Sequence, residues 1–268
     1  MRVPLSWLRE FVPVELDAEA LAERIDARGI KVEGIERPWA GLEGVVVARV
    51  LEVRDHPNSD KLCVATVDAG QGPVQVVVGV RNMAAGDLVP WAKPGSRVPM
   101  LDAPLASKPL RGEVSNGMLC SPRELAISHE HETGILTLPD ELAVGADLKS
   151  ALGLDDAVLD IEVEPNRPDY LSVYGVARET SSILGLPLAE PEMILEEHPE
   201  RADEVATVEL RAPEGCPLYL ARVLRDAATG ATPLWAQARL TAAGMRPVAP
   251  IVDATNYAML ELGQPLHA

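Results

Sequence analysis

The sequence is poor in aromatic residues and in cysteine. Aromatic side chains make up 3% of the 268 residues, and Trp91 is the only one between residues 45 and 150. Its three cysteines, Cys63, Cys120 and Cys216, are odd in number and lack the spacing of a disulfide framework, which indicates a reducing compartment. No stretch reaches the roughly 18 apolar residues of a membrane span, and the first residues lack the apolar core of a signal peptide. We therefore predict a cytoplasmic protein without membrane association.

Positive charge is also scarce, but it is unevenly distributed. The net charge is −17, yet residues 49–123 hold nine Lys and Arg against seven Asp and Glu, whereas residues 124–199 hold three against seventeen. A weakly positive region on a repulsive surface would admit a polyanion in one orientation. The alternative is that the acidic half simply keeps the chain in solution.

Short β-branched segments separated by Gly, Pro, Asn and Asp fill residues 44–127. They lack a 3.6-residue period, and four or five such strands can close into a small barrel that leaves no exposed edges. The prolines at 90, 94, 99, 104 and 109 are interpreted as loops and edge strands, and residues 134–138 as a last strand. We place this barrel at residues 40–151.

The segments on either side of the barrel predict two halves of one α/β domain, residues 1–39 and 152–195. Asp17 is the expected N-cap of a helix that carries Leu21 and Ile25 on one face, and Gly29 is its expected C′ residue. Residues 30–33 and 158–163 alternate as strands, and Asp169 is the expected cap of a helix over 170–184. Neither half can form a core alone, so the barrel is predicted to be an insertion.

A third unit is expected over residues 200–268. Strands are predicted at 205–210 and 219–224 and a helix at 233–240, after which Asp253 should cap a last helix over 255–262. About 70 residues of this unit are present, which suggests a truncated domain.

Several sequence motifs together resemble a known family. Residues 56–62 (HPNSDKL), 79–82 (GVRN) and 115–121 (SNGMLCS) resemble the tRNA-binding OB-fold domain of methionyl- and phenylalanyl-tRNA synthetases and of free-standing tRNA-binding proteins. With 1–8 (MRVPLSWL), 164–169 (EPNRPD), 244–247 (GMRP), 252–257 (VDATNY) and 264–268 (QPLHA), the whole chain resembles the N-terminal part of the bacterial phenylalanyl-tRNA synthetase β subunit.

This resemblance implies a multidomain α+β protein: a five-stranded OB-fold β-barrel inserted in a split α/β domain, followed by the start of a mixed α/β editing domain. It further implies an α₂β₂ assembly with an α subunit that charges tRNA(Phe) with phenylalanine using ATP and Mg²⁺. The aminoacylation centre is expected in the α subunit, so this part alone should neither aminoacylate tRNA nor bind ATP or Mg²⁺.

The family's editing positions match Thr255, Asn256 and His267. Their expected roles are to hold the aminoacyl group and the ribose hydroxyls and to orient a hydrolytic water. The alternative is that Thr255 and Asn256 cap a helix and that His267 is a packing residue.

Nine polar, basic and apolar residues of the barrel are candidates for tRNA contact. Lys and Arg would neutralise phosphates, and Asn and Ser would position the RNA backbone. Because the barrel has only one aromatic residue, Trp91, instead of several on which bases could stack, we expect it to recognise the shape of folded tRNA. Ordinary turn chemistry is the alternative for each of these residues. The candidates are Asn58, Ser59, Lys61, Arg81, Asn82, Lys93, Ser115, Asn116 and Met118.

Metal and nucleotide sites are not predicted in this chain. His129 and His131, with Glu130 and Glu132, lack cysteines at ligand spacing, and Cys63 and Cys120 are better interpreted as core residues. Phosphate-loop and dinucleotide fingerprints are absent. Two further hypotheses remain open: a non-catalytic tRNA-binding module, and a structural assembly domain whose acidic half docks a partner subunit.

Overall fold

A computed structural model describes residues 1–128, 134–225, 227 and 230–268. The chain forms two compact units, one of residues Met1–Ala189 with Thr232–Ala268 and the other of Glu190–Ala231. Helices and strands are both present, as expected for a mixed α/β protein.

The strands are β1 (Arg2–Pro4), β2 (Val32–Glu36), β3 (Glu43–His56), β4 (Ser59–Asp68), β5 (Pro73–Val78), β6 (Leu88–Arg97), β7 (Lys108–Leu110), β8 (Glu113–Ser115), β9 (Met118–Leu119) and β10 (Val158–Ile161). The helices are α1 (Leu5–Phe11), α2 (Ala18–Asp26), α3 (Leu148–Ala151), α4 (Val173–Leu184), α5 (Ala202–Val205), α6 (Leu234–Ala242) and α7 (Pro250–Leu262), with a 3₁₀ turn at Pro168–Tyr170.

The smaller of the two main sheets joins distant parts of the chain. Its order is β1-β10-β2 with antiparallel pairing, so β10 lies between two strands from the first 36 residues. Apolar side chains of α1, α2 and α4 form one core with this sheet, including Trp7, Leu21 and Val176. The strands and helices that flank residues 43–119 in sequence therefore share a core, because each half alone lacks enough apolar surface.

A five-stranded antiparallel sheet of order β5-β4-β3-β6-β9 occupies the intervening segment. The β7–β8 ribbon lies beside β5, where Asn116 N donates to Gln75 O over 3.0 Å and Val77 N donates to Ser115 Oγ over 3.0 Å. These bonds protect the edge of β5. They do not form a ladder that closes the sheet, and the described strands contain no closed barrel.

Local signals in the first 30 residues are confirmed. Asp17 is the N-cap of α2, and its carboxylate accepts from Ala20 N over 2.8 Å. Leu21 and Ile25 are buried. Beyond α2, Gly29 N bonds to Asp26 O and Ile30 N to Ile25 O, with Gly29 at φ +86°, which is the Schellman geometry expected of a C′ glycine.

Cys63 and Cys120 are core residues of the five-stranded region, as predicted, with 0% exposure. Burial raises the pKa of both thiols. Cys216 is the most accessible of the three cysteines.

Some element boundaries differ from the prediction. Pro90 and Pro94 lie inside β6, which pairs with both β3 and β9, rather than in loops. Pro90 is tolerated because β9 is only two residues long and pairs with positions 91 and 92. The strand expected at 134–138 is reduced to a single bridge between Leu138 and Leu88. Asp169 does not cap a helix; the N-cap of α4 is Ser172, whose hydroxyl accepts from Gly175 N.

The predicted role of Asp253 as a helix cap is wrong. Helix α7 begins at Pro250, so Asp253 lies in its first turn. Its side chain is 2% exposed and accepts hydrogen bonds from Thr232 Oγ1 and, over 2.8 Å, from Val248 N. Asp253 therefore holds the segment before α6 and the segment before α7 together, because a buried carboxylate needs such partners.

The strands predicted at 205–210 and 219–224 are also wrong. In the second unit, α5 is the only regular element among the described residues, and neither segment has strand pairing. Val208, Leu220 and Leu224 are exposed. An alternating pattern produces a stable strand only when further strands or a helix cover its apolar face.

Among the residues that the structure describes, no helix has the length and apolar character needed to cross a membrane.

Candidate nucleic-acid interface

Polar and basic side chains gather at the end of β3 and the start of β4. The turn between these strands contains Asn58, which is exposed, and β4 begins at Ser59, which is half-buried. Asn58 Nδ2 donates to Arg111 O over 3.0 Å, and Arg111 Nη1 donates to Ser59 Oγ over 3.3 Å. The turn between β7 and β8 thus lies directly against the β3–β4 turn. Three predicted residues, Asn58, Ser59 and Lys61, are brought together here.

Arg81 belongs to the same end of the sheet but is already paired. Its guanidinium contacts Asp55 Oδ1 at 2.5 Å and Leu62 O at 3.1 Å. The carboxylate of Asp55 raises the pKa of Arg81, which keeps the side chain charged. Lys61 is exposed and makes no ion pair within the described part of the chain. Its charge is therefore more available to a polyanion than that of Arg81.

The predicted hairpin residues have structural contacts. Ser115 is 3% exposed and its hydroxyl donates to Gly117 O. Asn116 O accepts from the indole of Trp91 over 2.9 Å, and Met118 is half-buried against the core. Because their polar groups are already bonded within the protein, the first role of Ser115 and Asn116 is to fix the shape of the hairpin.

Two other predicted residues differ in their accessibility. Both amide atoms of Asn82 bond to the backbone of Ile135, at 2.8 and 3.0 Å. Lys93 lies on β6, is half-buried, and has no ion pair among the described residues. Asn82 therefore fixes the segment after residue 133, whereas the Lys93 charge is available.

Sequence reasoning missed Arg111 and His56. Arg111 precedes Gly112 between two short strands, a pattern that by itself indicates only a turn. His56 was quoted only as part of a motif, yet it is 4% exposed and contacts both turns.

The three candidate editing residues lie on or beyond α7. Thr255 and Asn256 are in the second turn of α7, so neither caps it, and Thr255 Oγ1 donates to Val252 O over 2.7 Å. His267 is exposed, which does not fit a packing role. No hydrogen bond joins these three side chains within the described structure. In the part of the chain that the structure describes, the amide of Asn256 and the ring of His267 have no hydrogen-bond partner.

A metal site is not evident in the described residues, which contain no group of three or more His, Cys, Asp and Glu side chains placed to hold an ion. His129 and His131, considered above as ligands, lie outside the described residues.

Comparison with known proteins gives matches over the entire chain. A family model for a tRNA binding domain matches residues 45–147, and a model for the B3/4 domain matches residues 215–268. The chain is 42% identical over 268 residues to a protein of Syntrophus aciditrophicus, 45% over 269 residues to one of Anaeromyxobacter dehalogenans, and 45% over 270 residues to one of Aromatoleum aromaticum. Each of these relatives is named “Phenylalanine–tRNA ligase beta subunit”.

These alignments cover 100% of this chain but only 33–34% of each relative, so the chain spans about a third of their length. The similarity to these relatives therefore extends over the whole of this chain. Among solved structures, a MetRS related protein from Pyrococcus horikoshii matches 39% of this chain and 87% of its own, with 23% identity and a TM-score of 0.29.

Proposed function

We propose that this chain is the N-terminal portion of the β subunit of a bacterial-type phenylalanine–tRNA ligase. The observation that carries the proposal is the match of the entire chain, at 42–45% identity, to proteins of that name. In the assembled enzyme, an α₂β₂ complex in the cytoplasm, the α subunit charges tRNA(Phe) with phenylalanine. We assign ATP and Mg²⁺ to that reaction in the assembled enzyme. This portion of the β subunit contributes tRNA binding and part of an editing site.

The domain arrangement that we propose is an OB-fold domain, residues 40–151, inserted in a split α/β domain of residues 1–39 and 152–195. The pairing of β10 between β1 and β2 supports the insertion, because strands from both sides of the segment share one sheet. The bonds of Gln75 to Asn116 support a barrel whose closure is made partly by side chains and loops. Residues 200–268 begin the editing domain, consistent with the B3/4 match to 215–268.

We propose that the end of the five-stranded sheet that carries Asn58, Ser59 and Lys61 contacts tRNA(Phe). Lys61 supplies charge, Arg81 adds a charge that is partly neutralised by Asp55, and Asn82, Ser115, Asn116 and Met118 shape the surrounding loops. Lys93 follows Ala92, which pairs with Val45 near the start of β3, so a contact of Lys93 with tRNA would lie away from this end of the sheet. Because Trp91 is buried, stacking on bases is not available on this surface, and contacts to phosphate and ribose are expected.

Binding of tRNA(Phe) to this chain, measured over a range of salt concentrations, tests the proposed contact surface. We expect Lys61→Ala to weaken binding about fivefold and to reduce the slope of log affinity against log salt by about one, as loss of one phosphate contact should. Arg81→Ala should have a smaller effect because its charge is paired with Asp55. Arg97→Ala removes a positive charge that pairs with Glu43 at the opposite end of β3 and is the matched control. Unchanged affinity and slope in both test variants would exclude this surface.

Editing has a physical rationale in the substrate of such a ligase. Tyrosine differs from phenylalanine by one hydroxyl, and an apolar pocket discriminates against an added hydroxyl by only about 10². A second, hydrolytic pocket that recognises the phenol would supply the missing selectivity. We propose that Thr255, Asn256 and His267 hold the aminoacyl end of Tyr-tRNA(Phe) and orient water, in a pocket completed by residues that follow in the longer relatives.

Mixing this chain with Tyr-tRNA(Phe) should therefore give no deacylation above the rate in buffer, because only one side of the proposed pocket is present. Release of free tyrosine over time is the measurement. The complete ligase is the positive control, and in it Asn256→Ala should slow hydrolysis while phenylalanine charging continues. Rapid hydrolysis by this chain alone would show that the pocket does not depend on the following residues.

A further inference from the structure

Two turns interlock at the end of the five-stranded sheet. The β3–β4 turn carries Asn58, and the β7–β8 turn consists of Arg111 and Gly112, between the paired residues Leu110 and Glu113. The side chain of Asn58 donates to Arg111 O, and a Cβ added at Gly112 would lie 3.2 Å from Asn58 Nδ2. The two turns are therefore in van der Waals contact, and their positions depend on each other.

His56 is the buried link between these turns. Its Nδ1 accepts from Asn58 N over 3.1 Å, and Nε2 lies 3.0 Å from Leu110 O. Since a backbone N–H can only donate, Nδ1 is unprotonated, and Nε2 carries the hydrogen that Leu110 O accepts. The neutral ring thus bonds one turn through each nitrogen. Both contacts are made by main-chain atoms of the partner residues, so His56 fixes backbone rather than a mobile side chain.

Arg111 has an unusual backbone conformation for its residue type. Its φ is +50° and that of Gly112 is +99°, as in a two-residue type I′ turn. The first position of such a turn favours Asn, Asp or Gly, and the left-handed region is unfavourable for other residues that carry a Cβ. Arg111 therefore places a long cationic side chain at a position where a small residue would be more stable.

Among the residues that the structure describes, no carboxylate pairs with Arg111. Its guanidinium donates to the hydroxyl of Ser59, whereas Arg54 at the same end pairs with Glu113 at 3.2 Å. Lys61 and Lys108 are likewise exposed and without ion pairs among the described residues. Asp60 precedes Lys61 and is the carboxylate closest to it in sequence. The two turns therefore present cations that can bind a phosphate group without first breaking an ion pair.

We propose that Arg111 contacts a phosphate of the bound tRNA and that His56 is a positioning residue, which holds the Arg111 turn against the Asn58 turn so that both meet the RNA together. This inference rests on the proposed tRNA contact and adds two residues to it. Arg111 supplies the charge, and Asn58 and Ser59 fix its distance from Lys61.

The variant Arg111→Asn separates the two roles of this position. Asn is favoured in the left-handed region, so the turn should be kept and the melting temperature should be unchanged or higher. We expect binding of tRNA(Phe) to weaken about fivefold and the salt slope to fall by about one. Arg97→Ala, with the same loss of charge at the far end of β3, should leave both unchanged. Unaltered affinity and slope in Arg111→Asn would overturn the assignment.

The role of His56 is tested by coupling rather than by stability alone. His56→Phe keeps an aromatic ring but removes both hydrogen bonds, and we expect it to weaken binding about as much as Arg111→Asn. In the His56→Phe background, Arg111→Asn should have little further effect, because the guanidinium is no longer held in place. If His56→Phe does not fold, His56→Asn takes its place, because it retains a side-chain acceptor for Asn58 N. Part of the affinity of the unaltered chain should then remain.

The outcomes also distinguish this inference from the proposed function. Normal response to Lys61→Ala with no response to Arg111→Asn would reject the role of Arg111 and leave the tRNA surface in place. Strictly additive effects of His56→Phe and Arg111→Asn would reject positioning by His56. If the unaltered chain failed to bind tRNA(Phe) at any salt concentration, both the proposed contact surface and this inference would fall.

Discussion

Gly117→Ala is expected to lower the melting temperature of the chain by on the order of 10 °C. Gly117 has φ +90°, and a Cβ there would lie 2.1 Å from Ala92 O and 3.0 Å from Trp91 Nε1. Since Ala92 O is backbone of β6, a side-chain rotation cannot relieve the overlap. Forcing a Cβ into this backbone region costs about 1–3 kcal/mol before the overlap is counted.

The consequence reaches the proposed RNA surface. The hairpin must move away from β6, which breaks the bond from Trp91 Nε1 to Asn116 O and the bond from Asn116 N to Gln75 O. These bonds hold the β8–β9 connection against β6 and against the edge strand β5. We therefore expect the variant to bind tRNA(Phe) more weakly even at temperatures where it is folded.

Gly34→Ala provides a matched control for this substitution. Gly34 lies in β2 and has nothing within 4 Å of an added Cβ, and its φ is not in the left-handed region. Its melting temperature should stay the same or rise, because alanine reduces the entropy of the unfolded chain. Thermal denaturation followed by circular dichroism compares the two variants. Equal melting temperatures for them would show that the hairpin relaxes without cost.

Features that depend on neighbours in sequence were predictable from the sequence. Asp17 and Gly29 begin and end α2 through bonds to residues at most five positions away, so the sequence contains the whole signal. The interpretation of Cys63 and Cys120 as core residues also held, since small apolar side chains within β-branched segments are typically buried. The family resemblance rested on several separate motifs, so it did not depend on the correct prediction of any single helix or strand.

Features that depend on distant partners were not predictable in this way. Asp253 has the residue type and position of a helix cap, but its carboxylate is bonded by Thr232 and Val248, and Pro250 begins the helix earlier. Ser115 and Asn116 matched a nucleic-acid motif, yet their polar atoms bond across the sheet to Val77 and Trp91. Both cases have one cause: a polar group bonds to whichever partner the tertiary structure brings close.

Arg111 illustrates the opposite case, a residue whose importance becomes visible only through backbone geometry. In the sequence, Arg-Gly between short strands indicates a turn and nothing more. The structure shows that Arg111 bears the unfavourable conformation and that no carboxylate pairs with it in the described part of the chain. Strain at a non-glycine residue is an observation from which function can be inferred.

The second large effect is a loss of stability on substitution of Trp7, which packs between the three-stranded sheet domain and helix α7. Its side chain is 0% exposed and stacks on Tyr257 of α7 with ring centroids 4.3 Å apart, and its indole donates to Glu261 over 2.8 Å. Trp7→Ala should cost about 3–5 kcal/mol, as truncation of a buried aromatic residue does. Hydrogen exchange of the α7 amides should accelerate, because α7 loses its main aromatic contact with α1.

A second observable reports on the same contact. Burial raises the pKa of Tyr257 to about 12. Exposing the phenol in Trp7→Ala should shift this pKa down toward the ordinary value near 10, which ultraviolet titration of the phenolate detects, with Tyr257→Phe identifying the signal. Because Arg239 also bonds to Tyr257 and pairs with Glu10 of α1, part of the docking should persist in the variant.

Trp235→Ala is the matched control, since it removes a second tryptophan that also touches Tyr257. Trp235 is 55% exposed and meets Tyr257 edge to face at 5.4 Å. Its loss removes little buried surface and should shift the melting temperature by only a few degrees. Equal losses in the two variants would mean that aromatic contact to Tyr257, rather than burial between α1 and α7, determines docking. A larger effect at Trp7 would mean that the helix bearing Thr255 and Asn256 is held by the three-stranded sheet domain, so substitutions in α1 should also disturb the proposed editing pocket.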